Sequence, residues 1–102
     1  MKRKLSIIGN GGWGTALAIT LSKKFDVTIY GVIKEEIDKI REDNENKKYL
    51  KGYKLDNIKK TSDIFEAVND KVDIIVNAVP TKYIRPTFQK ISKYFSKKNI
   101  IV

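Results

Sequence analysis

Leu5-Ser6-Ile7-Ile8-Gly9-Asn10-Gly11-Gly12-Trp13-Gly14 is the stretch that decides the fold. Its first four residues form a short apolar run ending at glycine, which suits a buried strand. From Trp13 the periodicity changes: Trp13, Leu17 and Leu21 recur at i, i+4 and i+8, with Ala16 and Thr20 beside them. That spacing predicts one face of a helix running to about Lys24. Gly9, Gly11 and Gly14 therefore make a G-x-G-x-x-G pattern between a strand and a helix N-terminus, the context in which the pattern has a mechanism. Gly9 permits the sharp turn, Gly11 lets backbone approach a pyrophosphate, and Gly14 allows helix and strand to pack closely. The unpaired N–H groups and positive dipole end of the helix then face the diphosphate. A bare glycine turn without a ligand is the dull alternative.

Outward from that turn, Val27-Thr28-Ile29-Tyr30 is β-branched and aromatic and predicts a second strand. Ile33, Ile37 and Ile40 mark a second amphipathic helix, and Asp43 to Asn57 is polar and irregular. Ile58 to Thr61 predicts a short strand. Asp63 is an N-cap candidate with Glu66 as capping-box partner for a short helix through Val68. Val72 to Val79 is the most strand-like segment and Pro80 ends it. Ile84, Phe88, Ile91 and Phe95 repeat at helical spacing, with Pro86 expected near the helix front, where a missing N–H costs least. Asn99 to Val102 is a last strand. The isoleucines and phenylalanines of the later helices are expected in the core. Strands this apolar, alternating with helices, predict an α/β fold: a Rossmann-like, doubly wound parallel sheet with helices on both faces. The order and the final short strand suggest that residues 1–102 are one nucleotide-binding domain cut from a larger protein.

Composition narrows the chemistry. The 102 residues include no His and no Cys, which excludes a disulfide framework, a thiolate nucleophile, a zinc ribbon and a Ser–His relay. No metal site is expected. The net charge is +9, from 21 Lys+Arg against 12 Asp+Glu. The lysines are spread from Lys2 to Lys98 and form no long basic run, which argues against nucleic-acid binding and leaves attraction of anionic ligands. Lys2-Arg3-Lys4 and the apolar run after it break at Gly9, too early for a signal core, and no stretch approaches the ~20 apolar residues of a membrane span. A cytoplasmic protein without membrane insertion is expected.

One check of the motif fails. An acidic residue about 20 positions after the glycines ordinarily holds the ribose 2′-hydroxyl. Here that region reads Tyr30-Gly31-Val32-Ile33-Lys34, with Glu35 and Glu36 already inside the next helix. Preference for NAD over NADP is thus unspecified; Lys34 either attracts a 2′-phosphate or simply faces solvent.

Gly9 to Ala18, Gly-Asn-Gly-Gly-Trp-Gly-Thr-Ala-Leu-Ala, resembles the N-terminal motif of NAD(P)-dependent glycerol-3-phosphate dehydrogenases, Gly-x-Gly-x-Trp-Gly-Thr-Ala. Asn44-Glu45-Asn46-Lys47-Lys48-Tyr49-Leu50 is similar to that family's Glu-Asn-x-x-Tyr-Leu, and Ala78-Val79-Pro80-Thr81 to its Ala-Val-Pro-Ser. Arg85 also falls where the family often has arginine. The resemblance implies reduction of dihydroxyacetone phosphate to glycerol 3-phosphate with NAD(P)H, feeding glycerophospholipid synthesis, and a helical substrate domain after the nucleotide-binding one. By position it places Gly9, Asn10, Gly11, Gly12, Trp13 and Gly14 at the cofactor, Gly12 and Trp13 on its phosphate and nicotinamide side. Tyr49 falls in a cofactor-binding loop, and Val79, Pro80 and Thr81 line the cleft. Val32 and Ile33 stand where members usually carry Arg or His near the adenosine ribose, and Gly12 replaces a commoner Ser.

The resemblance places the first catalytic lysine beyond Val102, so no catalytic residue is expected in this chain and the 102 residues alone are expected to be inactive. A homodimer is compatible with this reading, and residues 100–102 are expected to leave an open, self-associating sheet edge. For individual residues the plainer roles are sheet cover for Trp13, loop packing for Tyr49 and Tyr53, and a strand stop for Pro80. The alternatives are another dehydrogenase with a helical second domain, such as a ketopantoate reductase or a sugar-nucleotide dehydrogenase, and a nucleotide-sensing module without catalysis.

Overall fold

The structure, a computed structural model, describes residues 2–102, the side chains of residues 81–84 excepted. Strand β1 (Lys4–Ile8), helix α1 (Gly12–Leu21), β2 (Asp26–Tyr30) and α2 (Lys34–Asp43) come first. They are followed by a hairpin of β3 (Glu45–Asn46) and β4 (Leu50–Lys54), then β5 (Lys59–Thr61) and α3 (Ile64–Ala67). Strand β6 (Ile74–Asn77), α4 (Thr81–Ile91), a 3-10 turn at Ser92–Tyr94 and β7 (Ile100–Ile101) complete the order.

Five strands form one sheet in the order β5-β2-β1-β6-β7, and every pair is parallel. Alternation along each strand divides the core. Leu5 and Ile7 of β1, with Val27 and Ile29 of β2, meet Ala18 of α1 and Ile37 and Ile40 of α2 on one face. Ile8, Tyr30 and Ile75 meet Ala67 and Val68 at α3 and Ile91 of α4 on the other. This is the Rossmann-like doubly wound arrangement. The first crossovers carry the chain outward from β1 to β2 and β5, and the later ones return it to β6 on the opposite side of β1. The crevice at the carboxyl ends of β1 and β6 is therefore the topological switch point, where ligands of such sheets bind.

Several sequence expectations shift. The face of α1 that meets the sheet is Gly14, Thr15 and Ala18, with Leu17 and Leu21 only partly buried and Trp13 68% exposed. Close helix–sheet approach needs small side chains, so the bulky stripe does not mark the contact. The helix stops at Leu21, because Ser22 to Phe25 form a turn in which the Phe25 N–H donates to the Leu21 carbonyl. Asp43 to Asn57 is more ordered than its polarity suggests. Asn44 ends α2 at φ 53°, and the hairpin follows in antiparallel register, Glu45 opposite Lys54 and Asn46 opposite Leu50.

Asp63 caps α3 by accepting from the Phe65 N–H, but its own N–H donates to Thr61 Oγ1 rather than to Glu66. Phe65 is exposed, its ring edge-on to Tyr94 at 4.9 Å, and is not core. Pro86 lies at the sixth position of α4, past the first turn, so the helix forgoes one hydrogen bond there. Ile91 is buried and Phe88 packs against Phe95 at 5.8 Å, while Ile84 lies outside the described side chains. Strand β7 forms one edge of the sheet and leaves Ile100, Ile101 and Val102 exposed.

Candidate functional site

The glycine turn is built by backbone contact. Gly9 adopts φ +122°, its N–H donates to the Tyr30 carbonyl, and a Cβ there would stand 2.9 Å from the Ala78 carbonyl oxygen. A Cβ on Gly14 would collide with the Gly9 carbonyl oxygen and press on Ala78 Cβ at 3.2 Å. Gly11 is different: nothing lies within 4 Å of where its Cβ would be. It precedes α1 as the N-cap residue with no side-chain cap, and the first turn holds no acidic residue. The first N–H groups of α1 thus have no side-chain cap acceptor, which is the condition for anion binding at a helix start.

A cleft of about 490 Å³ opens at this point. Ile8, Gly9, Asn10 and Gly11 form its floor; Tyr30, Val32, Ile33 and Glu36 one wall; and Ala78, Val79, Pro80 and Thr87 the other, with Tyr49 reaching in from the hairpin. Of the residues singled out from sequence, Gly9, Asn10, Gly11, Val32, Ile33, Tyr49, Val79 and Pro80 come together here. Gly12, Trp13 and Gly14 do not line the cleft. Gly14 serves the strand–helix contact, and Gly12 faces the Tyr49 carbonyl, 3.0 Å from the position of its absent Cβ. The exposure of Trp13 rules out the sheet-cover role. Tyr53 is also exposed, and the Thr81 side chain lies outside the described set. Val32 and Ile33, 57% and 51% exposed, offer an apolar shelf beside the glycines.

Two side chains at the cleft were not among the candidate site residues. Asn46 is 1% exposed and fastens the hairpin to the glycine turn. Its amide donates to the Asn10 carbonyl at 2.7 Å and to Thr15 Oγ1 at 2.8 Å, and its Oδ1 accepts from the Tyr49 N–H at 3.3 Å. The hairpin is braced in turn by Glu45, which accepts from the Gly52 N–H at 2.9 Å. Glu36 is the second. One carboxylate oxygen accepts from Asn10 Nδ2 at 3.0 Å, the other from Lys48 Nζ at 2.7 Å. These bonds, Lys48 first and Asn10 second, hold its pKa below the usual glutamate value. A signal was available: position 36 falls three after Ile33 and four before Ile40, on the inward face of α2. Lys34 instead pairs with Asp38 at 2.7 Å on the outer face, 73% exposed, and does not line the cleft.

A parallel doubly wound sheet with a glycine turn at its switch point defines a nucleotide-binding α/β domain of Rossmann type. A family model described as the N-terminus of NAD-dependent glycerol-3-phosphate dehydrogenase matches residues 4–102. The chain belongs to that family. It is 46% identical over 101 residues to the glycerol-3-phosphate dehydrogenase [NAD(P)+] of Bacillus licheniformis, covering 97% of this chain and 29% of that protein. The enzyme of the same name from Syntrophomonas wolfei is 40% identical, with the same coverages. Among solved structures, glycerol-3-phosphate dehydrogenase from Coxiella burnetii superposes with a TM-score of 0.90 at 25% identity, over 98% of this chain and 31% of that one. The chain thus spans about three tenths of the length of these relatives. No helix among the described residues is long and apolar enough to cross a membrane.

Proposed function

We propose that this chain is the coenzyme-binding part of an enzyme that reduces dihydroxyacetone phosphate to glycerol 3-phosphate with NADH or NADPH, supplying glycerophospholipid synthesis in the cytoplasm. The observation that carries the reading is the open face of Gly11 beside the uncapped start of α1, inside the switch-point cleft of a chain of this family. The residues present fit a dinucleotide. The first N–H groups of α1 bind the diphosphate, the shelf of Val32 and Ile33 takes the adenosine end, and Tyr49 closes over it. Val79 and Pro80 shape the opposite end of the cleft. When bound, the coenzyme supplies the hydride.

The chain spans about three tenths of the length of its relatives, and we assign the group that polarises the substrate carbonyl and delivers a proton to the part of the enzyme that this chain does not span. Isothermal titration of the full-length protein should show heat on adding nicotinamide dinucleotide, and dihydroxyacetone phosphate should then trigger oxidation of NADH. The 102-residue polypeptide should consume none. Absence of any coenzyme binding would refute the reading.

A further inference from the structure

We propose that Glu36 makes this cleft selective for the coenzyme with an unphosphorylated adenosine ribose, NAD(H) over NADP(H); the inference rests on the function proposed above. Among the described residues lining the cleft, Glu36 carries the single charge. It stands in the first turn of α2, six residues after the end of β2, hydrogen-bonded to Asn10 of the glycine turn, where the adenosine ribose of a dinucleotide lies in sheets of this kind. The loop after β2, Gly31-Val32-Ile33, carries no acid, and the carboxylate reaches the site from the first turn of α2 instead.

Lys48 does not cancel this effect. Glu36 borders both the cleft and a second hollow between α2 and the hairpin, whereas Lys48 borders the second hollow alone. Its ammonium holds one carboxylate oxygen at 2.7 Å and lies 5.1 Å from the centre of the Tyr49 ring, on the hairpin side of Glu36. The glutamate side chain is 17% exposed and the lysine 64%, so the anion is held in place while the cation is largely hydrated. A carboxylate accepts hydrogen bonds and donates none. It satisfies ribose hydroxyls and repels a phosphate in the same place.

The test is titration of the full-length protein with NADH and with NADPH, repeated on Glu36→Gln and Lys48→Met. The native protein should bind NADH at least tenfold more tightly than NADPH. Glu36→Gln should reduce that ratio to threefold or less, mainly by improving NADPH, because the charge is gone and Lys48 is released. Lys48→Met keeps the carboxylate and should keep the preference. Equal binding of the two coenzymes by the native protein, or an unchanged ratio in Glu36→Gln, overturns the assignment to Glu36 while leaving the proposed function standing. Failure of the native protein to bind either coenzyme overturns the function itself.

Discussion

The floor of the cleft and the hairpin that reaches into it are held by different means. The glycine turn between β1 and α1 is fixed by main-chain contacts: Gly9 against the Ala78 carbonyl, Gly14 against the Gly9 carbonyl. The facing hairpin is fixed by side chains, with Asn46 buried across the gap and Glu36 clasping Asn10 and Lys48. A backbone-built element tolerates almost no added atom, while a side-chain clasp can be loosened in steps.

The sharpest way to break that contrast is Gly14→Ala. A methyl group there has carbonyl oxygen in its path and no flexible neighbour to yield, so unfolding free energy should fall by about 3 kcal/mol. Urea denaturation of the full-length protein measures it; an unchanged midpoint would mean that the turn is not rigid.

Asn46→Ala should cost less, about 2 kcal/mol, by removing the donor to the buried Thr15 hydroxyl and leaving the Asn10 carbonyl with only the long 3.4 Å bond from that hydroxyl. Because Tyr49 also loses its anchor, coenzyme affinity should drop roughly tenfold, equivalent to ~1.4 kcal/mol. Stability lost with affinity intact would detach the hairpin from binding.

A smaller effect belongs to pH. The folded pKa of Glu36 is depressed, so its ionised form contributes stability above the ordinary glutamate value of about 4.3. That contribution disappears as pH falls through the lower folded value. Thermal melts of Glu36→Gln should therefore decline less steeply than native ones below about pH 4; parallel curves would show that the clasp is electrostatically idle. Smallest of all is Lys34→Ala. Among the described residues this lysine pairs with exposed Asp38 and stands outside the cleft, so neither stability nor the NADH-to-NADPH ratio should change measurably.

The same contrast explains what could be read in advance. Gly9, Gly11 and Gly14 announce the turn because absence of a side chain is itself the structural requirement, and their spacing is local. Apolar strands alternating with amphipathic helices likewise state the layering of the sheet. Trp13 misled for the converse reason: a large residue at helical spacing suggests a buried stripe, whereas close packing of α1 on β1 selected Gly14 and Ala18. Asn46 and Glu36 stood in plain view in the chain, but their contacts could not be read, because their shared partner Asn10 lies 36 and 26 residues away.

Sequence by itself determined the strands and helices of the parallel sheet and the glycine turn, though not the β3–β4 hairpin, since periodicity and residue size act within a few positions. Only the tertiary structure decided which polar groups meet across the cleft. Hydrogen bonds between distant residues depend on the path of the whole backbone, and no local pattern records that path.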